Sequence, residues 1–147
     1  MQIGKTAQNA IAAVSYLVER QRDGGGMISS QEVADARQLS KPLAAKILTT
    51  LSKTGIVTGS TGPGGGYQLA KPADQITLLI VVSQFELQNQ SMMCPFGEGW
   101  CGTNEPCPLH DNMKEFEEQQ LRFLEENNFG GFAEPGYSSK WPDKPGK

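Results

Sequence analysis

The sequence predicts a mainly α-helical protein with a small β-hairpin wing: a winged helix-turn-helix followed by one long dimerisation helix. Three observations carry this expectation. Two short amphipathic segments, each opened by a capping serine, are separated by a tight turn. A glycine run, Gly62-Pro63-Gly64-Gly65-Gly66, lies between two strand-like stretches directly after them. A long helical stretch with one apolar side and many glutamates follows a loop that holds every cysteine of the chain.

The first element is an amphipathic helix over about residues 5–20, on the spacing of Ala7, Ile11, Val14 and Val18. Asp23-Gly24-Gly25-Gly26 ends it. Ser29 and Glu32 form a capping box, and a short helix with Val33 and Ala34 inward runs to about Gln38. Leu39 packs under the turn. Ser40 caps the next helix, and Pro42 sits in its first turn, where a missing backbone donor does no harm. Leu43, Ile47 and Leu51 form its apolar stripe, flanked by Ala44 and Leu48, and Gly55 terminates it.

In a helix-turn-helix the second helix enters the major groove with its N-terminal residues forward. That places Ser40, Lys41, Pro42, Ala44, Ala45 and Lys46 at the groove, with Ser29 at the start of the preceding helix. Ile56-Val57-Thr58 and Tyr67-Gln68-Leu69 read as the strands of a hairpin. The glycines between them fit neither a phosphate-cradling Gly-x-x-x-x-Gly-Lys motif nor a dinucleotide fold, because a strand and not a helix follows. Placed after a helix-turn-helix they make a wing, in which Thr61, Gly64, Gly65 and Tyr67 approach the phosphate backbone.

A further helix is expected from Ile76 to Leu87, with Asp74 as its cap. The last helix covers about residues 109–127, with Leu109, Met113, Phe116, Phe123 and Leu124 on its apolar side. Such a helix has little of its own chain to pack against, and pairing with a second copy solves that problem. From Phe129 the composition of Gly, Pro, Ser and Lys reads as a mobile tail or a surface strap. The domain reading is therefore 1–75 for DNA binding, 76–128 for the cysteine loop and dimer helix, and 129–147 for the tail.

Net charge is −3, which by itself argues against nucleic-acid binding. The charge is divided, however. Residues 1–75 carry eight basic and five acidic side chains, and residues 76–147 carry five basic and eleven acidic ones, so the two halves suit different tasks. No secretion signal is visible at the N-terminus, and the longest apolar run is too short to cross a bilayer, so a cytoplasmic protein is expected. No nucleophile–base pair or paired-carboxylate motif is visible, and no enzyme activity is expected.

The three cysteines are Cys94, Cys101 and Cys107, with His110, the only histidine, three residues further on. An odd number of cysteines without a secretion signal points to metal or redox chemistry rather than disulfides. Thiolates are soft ligands that select iron–sulfur clusters, zinc or cuprous ions. No Cys-x-x-Cys knuckle of a structural zinc site occurs. As fourth ligand, His110 competes with Glu98, Glu105, Asp111 and a residue from a second subunit.

Three segments together resemble the Rrf2 family, the IscR/NsrR type of winged-helix iron–sulfur regulators. They are Ser40 to Gly55 with the wing through Leu69, the following Ile76-Thr77-Leu78-Leu79, and the cysteine loop with Cys107-Pro108-Leu109-His110. The resemblance implies a homodimeric transcription regulator that binds a double-stranded DNA operator. It further implies sensing of redox state, nitric oxide or iron–sulfur status through a cluster, [2Fe–2S] in preference to [4Fe–4S]. By position Cys94, Cys101 and Cys107 match the family's cluster ligands, and His110 matches the histidine ligand of the IscR-like branch. Thr61 stands where arginine is common in the family, which leaves more of the binding to the helix starting at Ser40. The alternative is a zinc-stabilised or cluster-free winged-helix DNA-binding protein.

Overall fold

The structure is a computed structural model, and it describes residues 3–86 and 107–137. The first helix, α1, spans Lys5–Arg22. It is the hub of the fold, because its alanine-rich face lets other elements approach closely. Ala10, Ala13, Val14, Leu17 and Val18 are buried in one continuous core with Val33, Ile47, Leu48, Leu51, Ile56 and Ile76.

Helix α2 spans Ser30–Arg37 and α3 spans Lys41–Lys53. Each starts as the sequence suggests. The Ser29 hydroxyl oxygen accepts from the Glu32 amide at 3.1 Å, and the Ser40 oxygen accepts from the Leu43 amide at 3.3 Å. Gln38 makes the turn between them in the left-handed conformation, φ 57°, a place that glycine more often fills. The Leu39 amide then donates back to the Ala34 carbonyl at 2.9 Å and closes the corner. Gly55, at φ 80°, ends the unit after α3.

Two antiparallel strands form the wing: β1 at Val57–Ser60 and β2 at Gly66–Leu69, with Gly59 opposite Tyr67. They extend further toward the tip than the sequence suggested. The bare backbone explains this. The Tyr67 ring lies over Gly59, where an added Cβ would meet ring carbon Cε1 at 3.0 Å. At Gly65 an added Cβ would sit 2.4 Å from the Ser60 carbonyl oxygen. Tyr67 also exchanges both backbone hydrogen bonds with Ile28, which ties the wing to the chain entering α2.

Beyond the wing, a 3-10 turn at Ala73–Gln75 leads into α4, Leu78–Val82. This helix is shorter than expected, and its cap is Thr77, whose hydroxyl accepts from the Ile80 amide at 3.2 Å, rather than Asp74. Asp74 belongs instead to the 3-10 turn. Leu87 lies outside the described residues. Helix α5 spans His110–Glu126. Its C-terminal end is clamped to the body. Leu124 is buried with Ala7 and Val82, and the Leu78 amide donates to the Asn127 carbonyl at 2.9 Å.

The segment after α5 departs most from the sequence reading. Of the two expectations, residues 129–137 follow the strap rather than the mobile tail, and Phe129 reaches deeper than a surface strap would. Phe129 is fully buried in the main core, and Phe129–Ala133 forms a 3-10 turn against α1. The Arg22 guanidinium donates to the carbonyls of Phe132, Glu134 and Tyr137, which fixes the chain across the end of α1. One large aromatic residue outweighs the surrounding glycines, because burying it stabilises by roughly 1.5–3 kcal/mol. Residues 138–147, including Trp141, lie outside the described part.

One buried ion pair fixes α2 on α1. The Arg37 guanidinium meets the Glu19 carboxylate at 2.6 Å, with the two side chains 4% and 11% exposed. The same guanidinium donates to the Ala12 carbonyl at 3.0 Å and the Ser15 hydroxyl at 3.2 Å, and it stacks over the Tyr16 ring. Removing one partner of such a pair strands a buried charge. Arg37→Ala is therefore expected to lower stability by about 3–5 kcal/mol, seen in urea unfolding as a lower midpoint with an unchanged slope. A loss within the surface-pair range of about 0–1 kcal/mol would contradict the placement.

Candidate nucleic-acid interface and sensor end

Helix α3 turns Ala44, Ile47, Leu48 and Leu51 into the core. That phase settles which side chains remain outside: Lys41, Pro42, Lys46, Thr49 and Lys53 are exposed, and Ala45 is half-buried. The expectation that Ala44 faces DNA is corrected here. It is fully buried, because it starts the i, i+3, i+4, i+7 stripe that packs against the body. Ala45, one position on, lies next to the outward face.

The wing stands beside this face. Thr49, Ser52 and Lys53 of α3 and Gly59, Ser60, Thr61 and Tyr67 of the wing line one groove of about 270 Å³. Thr61 and Gly64 are exposed at the wing, whereas Gly65 and Tyr67 are half-buried. Gly62 and Gly64, at φ 87° and 75°, adopt backbone conformations that side-chain-bearing residues avoid, so the tip stays free of bulk. Ser29 is half-buried and Ser40 exposed, and both oxygens already serve as caps.

The charge on this surface is more one-sided than the halves of the chain suggested. From residue 36 to residue 73 the sequence holds Arg37, Lys41, Lys46, Lys53 and Lys71 and no carboxylate. Arg37 is spent on the buried pair, which leaves three exposed lysines on α3. The acidic excess lies on α5, in Asp111, Glu115, Glu117, Glu118, Glu125 and Glu126. A sliding charge count would have isolated the basic surface, and the count by halves diluted it.

Of the four sequence-predicted metal ligands, Cys107 and His110 are described and Cys94 and Cys101 are not. The two described residues share one turn: the His110 amide donates to the Cys107 carbonyl at 3.0 Å, and both side chains are half-buried. This turn opens α5, whose N-terminal end carries partial positive charge and suits an anionic group. Among the described residues no set of three or more His, Cys, Asp and Glu side chains converges. A thiol and an imidazole in one turn are donors of the kind that soft metals select.

Apart from its buried Leu124, α5 exposes large apolar side chains. Leu109, Phe116, Leu121 and Phe123 are between 38% and 55% exposed. Leu109, Phe116 and Phe123 recur every seven residues and so lie along one side of the helix. Among the described residues no helix is long and apolar enough to cross a membrane.

Comparison with known proteins agrees with this architecture. The Rrf2 family, described as iron-dependent transcriptional regulators, matches residues 3–134. The chain is 25% identical over 125 residues to the HTH-type transcriptional regulator IscR of Cronobacter sakazakii, covering 85% of this chain and 76% of that one. The structure of CymR, the global cysteine regulator of B. subtilis, superposes with a TM-score of 0.70 at 19% identity, over 90% of this chain and 96% of that one. That of T. potens IscR superposes with a TM-score of 0.68 at 17% identity, over 95% and 93%. These relatives are regulators and not enzymes. A winged helix-turn-helix with a long C-terminal helix, matched by the family over most of its length, establishes that the chain belongs to the Rrf2 family of transcriptional regulators.

Proposed function

We propose that this regulator is a cytoplasmic homodimer whose hold on its DNA operator is set by an iron–sulfur cluster bound through Cys94, Cys101, Cys107 and His110. The observation that carries the reading is the position of Cys107 and His110 in a single turn at the head of α5. When bound, the cluster supplies a redox-sensitive bond network between that turn and the loop before it, with [2Fe–2S] the nuclearity best suited to mixed thiolate and imidazole ligation. The chain's own elements do the rest. Cys107 and His110 fix the free end of α5. Leu124, the Asn127 carbonyl and Phe129 join its other end to α4 and the core that seats α3. A change in the position of α5 therefore reaches the reading helices of both protomers.

In this reading the Leu109, Phe116 and Phe123 side of α5 meets the same side of a second copy. A dimer presents two α3 helices, which must match half-sites about 34 Å apart. Lys41, Lys46 and Lys53 contact phosphates, and the wing backbone around Gly64 and Gly65 lies against the sugar–phosphate chain. A small rotation of one protomer against the other changes that spacing, and the differential DNA affinity of the two states is the regulatory output.

Two tests address this reading. Protein isolated anaerobically is expected to show visible absorption with iron and sulfide bound, and His110→Ala is expected to alter that spectrum. Colourless protein with one zinc per chain would establish the zinc-stabilised alternative instead. Sedimentation tests the dimer: a variant with Phe116→Glu and Phe123→Glu is expected to be monomeric and to retain its helix content. A dimer undisturbed by two charges on that side would place the subunit interface elsewhere.

A further inference from the structure

Resting on the DNA-reading role proposed for α3, we infer that this helix recognises thymine by its C5-methyl group, with the Thr49 methyl as the principal contact and Pro42 and Ala45 beside it. Each base pair offers a distinct edge in the major groove. Guanine is read by arginine or lysine, adenine by asparagine or glutamine, and cytosine by a carboxylate, whereas the thymine methyl is met by small apolar groups. Helix α3, Lys-Pro-Leu-Ala-Ala-Lys-Ile-Leu-Thr-Thr-Leu-Ser-Lys, contains no arginine, asparagine, glutamine, aspartate or glutamate. It has no amide for adenine and no carboxylate for cytosine, which leaves its threonines, Ser52 and its small apolar groups to meet base edges.

The hydroxyls of Ser40, Thr49 and Thr50 already have backbone partners. Thr49 Oγ1 donates to the Ala45 carbonyl at 2.7 Å, and Thr50 Oγ1 donates to the Lys46 carbonyl at 2.9 Å. The Ser40 oxygen caps the helix. With its proton turned back to the helix, the exposed Thr49 has no donor to offer, and its methyl is available for apolar contact. Pro42, Ala45 and Thr49 recur at i, i+3 and i+7 and form one row on the outward side. Lys41, Lys46 and Lys53 flank that row and suit phosphates on either side. Lys46 is the one competitor for a base, since lysine also meets guanine.

The test uses the full chain, isolated anaerobically, and duplexes it retains from a library with a randomised centre. The best duplex is remade with deoxyuridine in place of thymidine, which removes only the methyl groups. Affinity is expected to fall about fourfold for each contacted thymine, the equivalent of one methyl group left unburied. Thr49→Val keeps the methyl and is expected to keep that loss. Thr49→Ser lacks it and is expected to bind the thymine and uracil duplexes alike at that position. Equal affinity of the unaltered chain for both duplexes overturns the inference. So does a guanine preference that disappears in Lys46→Ala. Retention of no duplex, or binding insensitive to salt, overturns the DNA-reading role itself and is distinguishable from either result.

Discussion

Arg37 closes α2 and reaches back into α1, where it meets Glu19 at 2.6 Å and also donates to the Ala12 carbonyl and Ser15. A hydrophobic contact is indifferent to small rotations, but these hydrogen bonds are directional. They set the angle at which α2 leaves α1. Since α3 follows α2 after a three-residue turn, Gln38 to Ser40, the same contact sets the attitude of the outward row of α3. The wing inherits it too, because Tyr67 exchanges hydrogen bonds with Ile28 just before α2. Taking two charges out of water is expensive, and an apolar pair of similar volume would stabilise at least as well. What the ion pair adds is a fixed geometry for the reading surface.

Helix α5 is held in the opposite manner. Its C-terminal end is fastened by Leu124, the hydrogen bond from Leu78 to Asn127, and the buried Phe129. The helix also bears Phe116 and Phe123 half-exposed and carries the Cys107–His110 turn at its far end. In the function proposed for it, this helix acts as a lever, and a displacement at His110 reaches the core through Leu124 and Phe129. The fastening and the candidate ligands thus sit at opposite ends of one element of seventeen residues.

Much of this was legible in the sequence, for identifiable reasons. Ser29, Ser40, Pro42 and Gly55 are local signals whose physics acts within a turn, and the structure has α2 and α3 where they place them. The wing was legible because glycines at positive φ leave few other solutions. Ala44 was misplaced because a small side chain fits either a core or a groove, and only the helix phase decides. Thr77 was passed over for Asp74 because the intervening 3-10 turn has no distinct pattern. Phe129 was hidden by the glycines around it, although an aromatic residue beside Asn128 was the signal. Arg37 and Glu19 lie eighteen residues apart on different helices, and no periodicity joins them. Of the candidate metal ligands, Cys94 and Cys101 lie outside the described residues, so that part of the site rests on spacing and resemblance.

The proposed function requires a coupling between the Cys107–His110 end of α5 and the reading face of α3. It is tested most directly by titrating one operator duplex, at one fixed salt concentration, with the chain carrying its cluster and with the chain after anaerobic removal of iron. The two affinities are expected to differ by about 5–150-fold, the usual range of coupling between two sites. Equal affinities, with the cluster present in one sample and absent from the other, would contradict it.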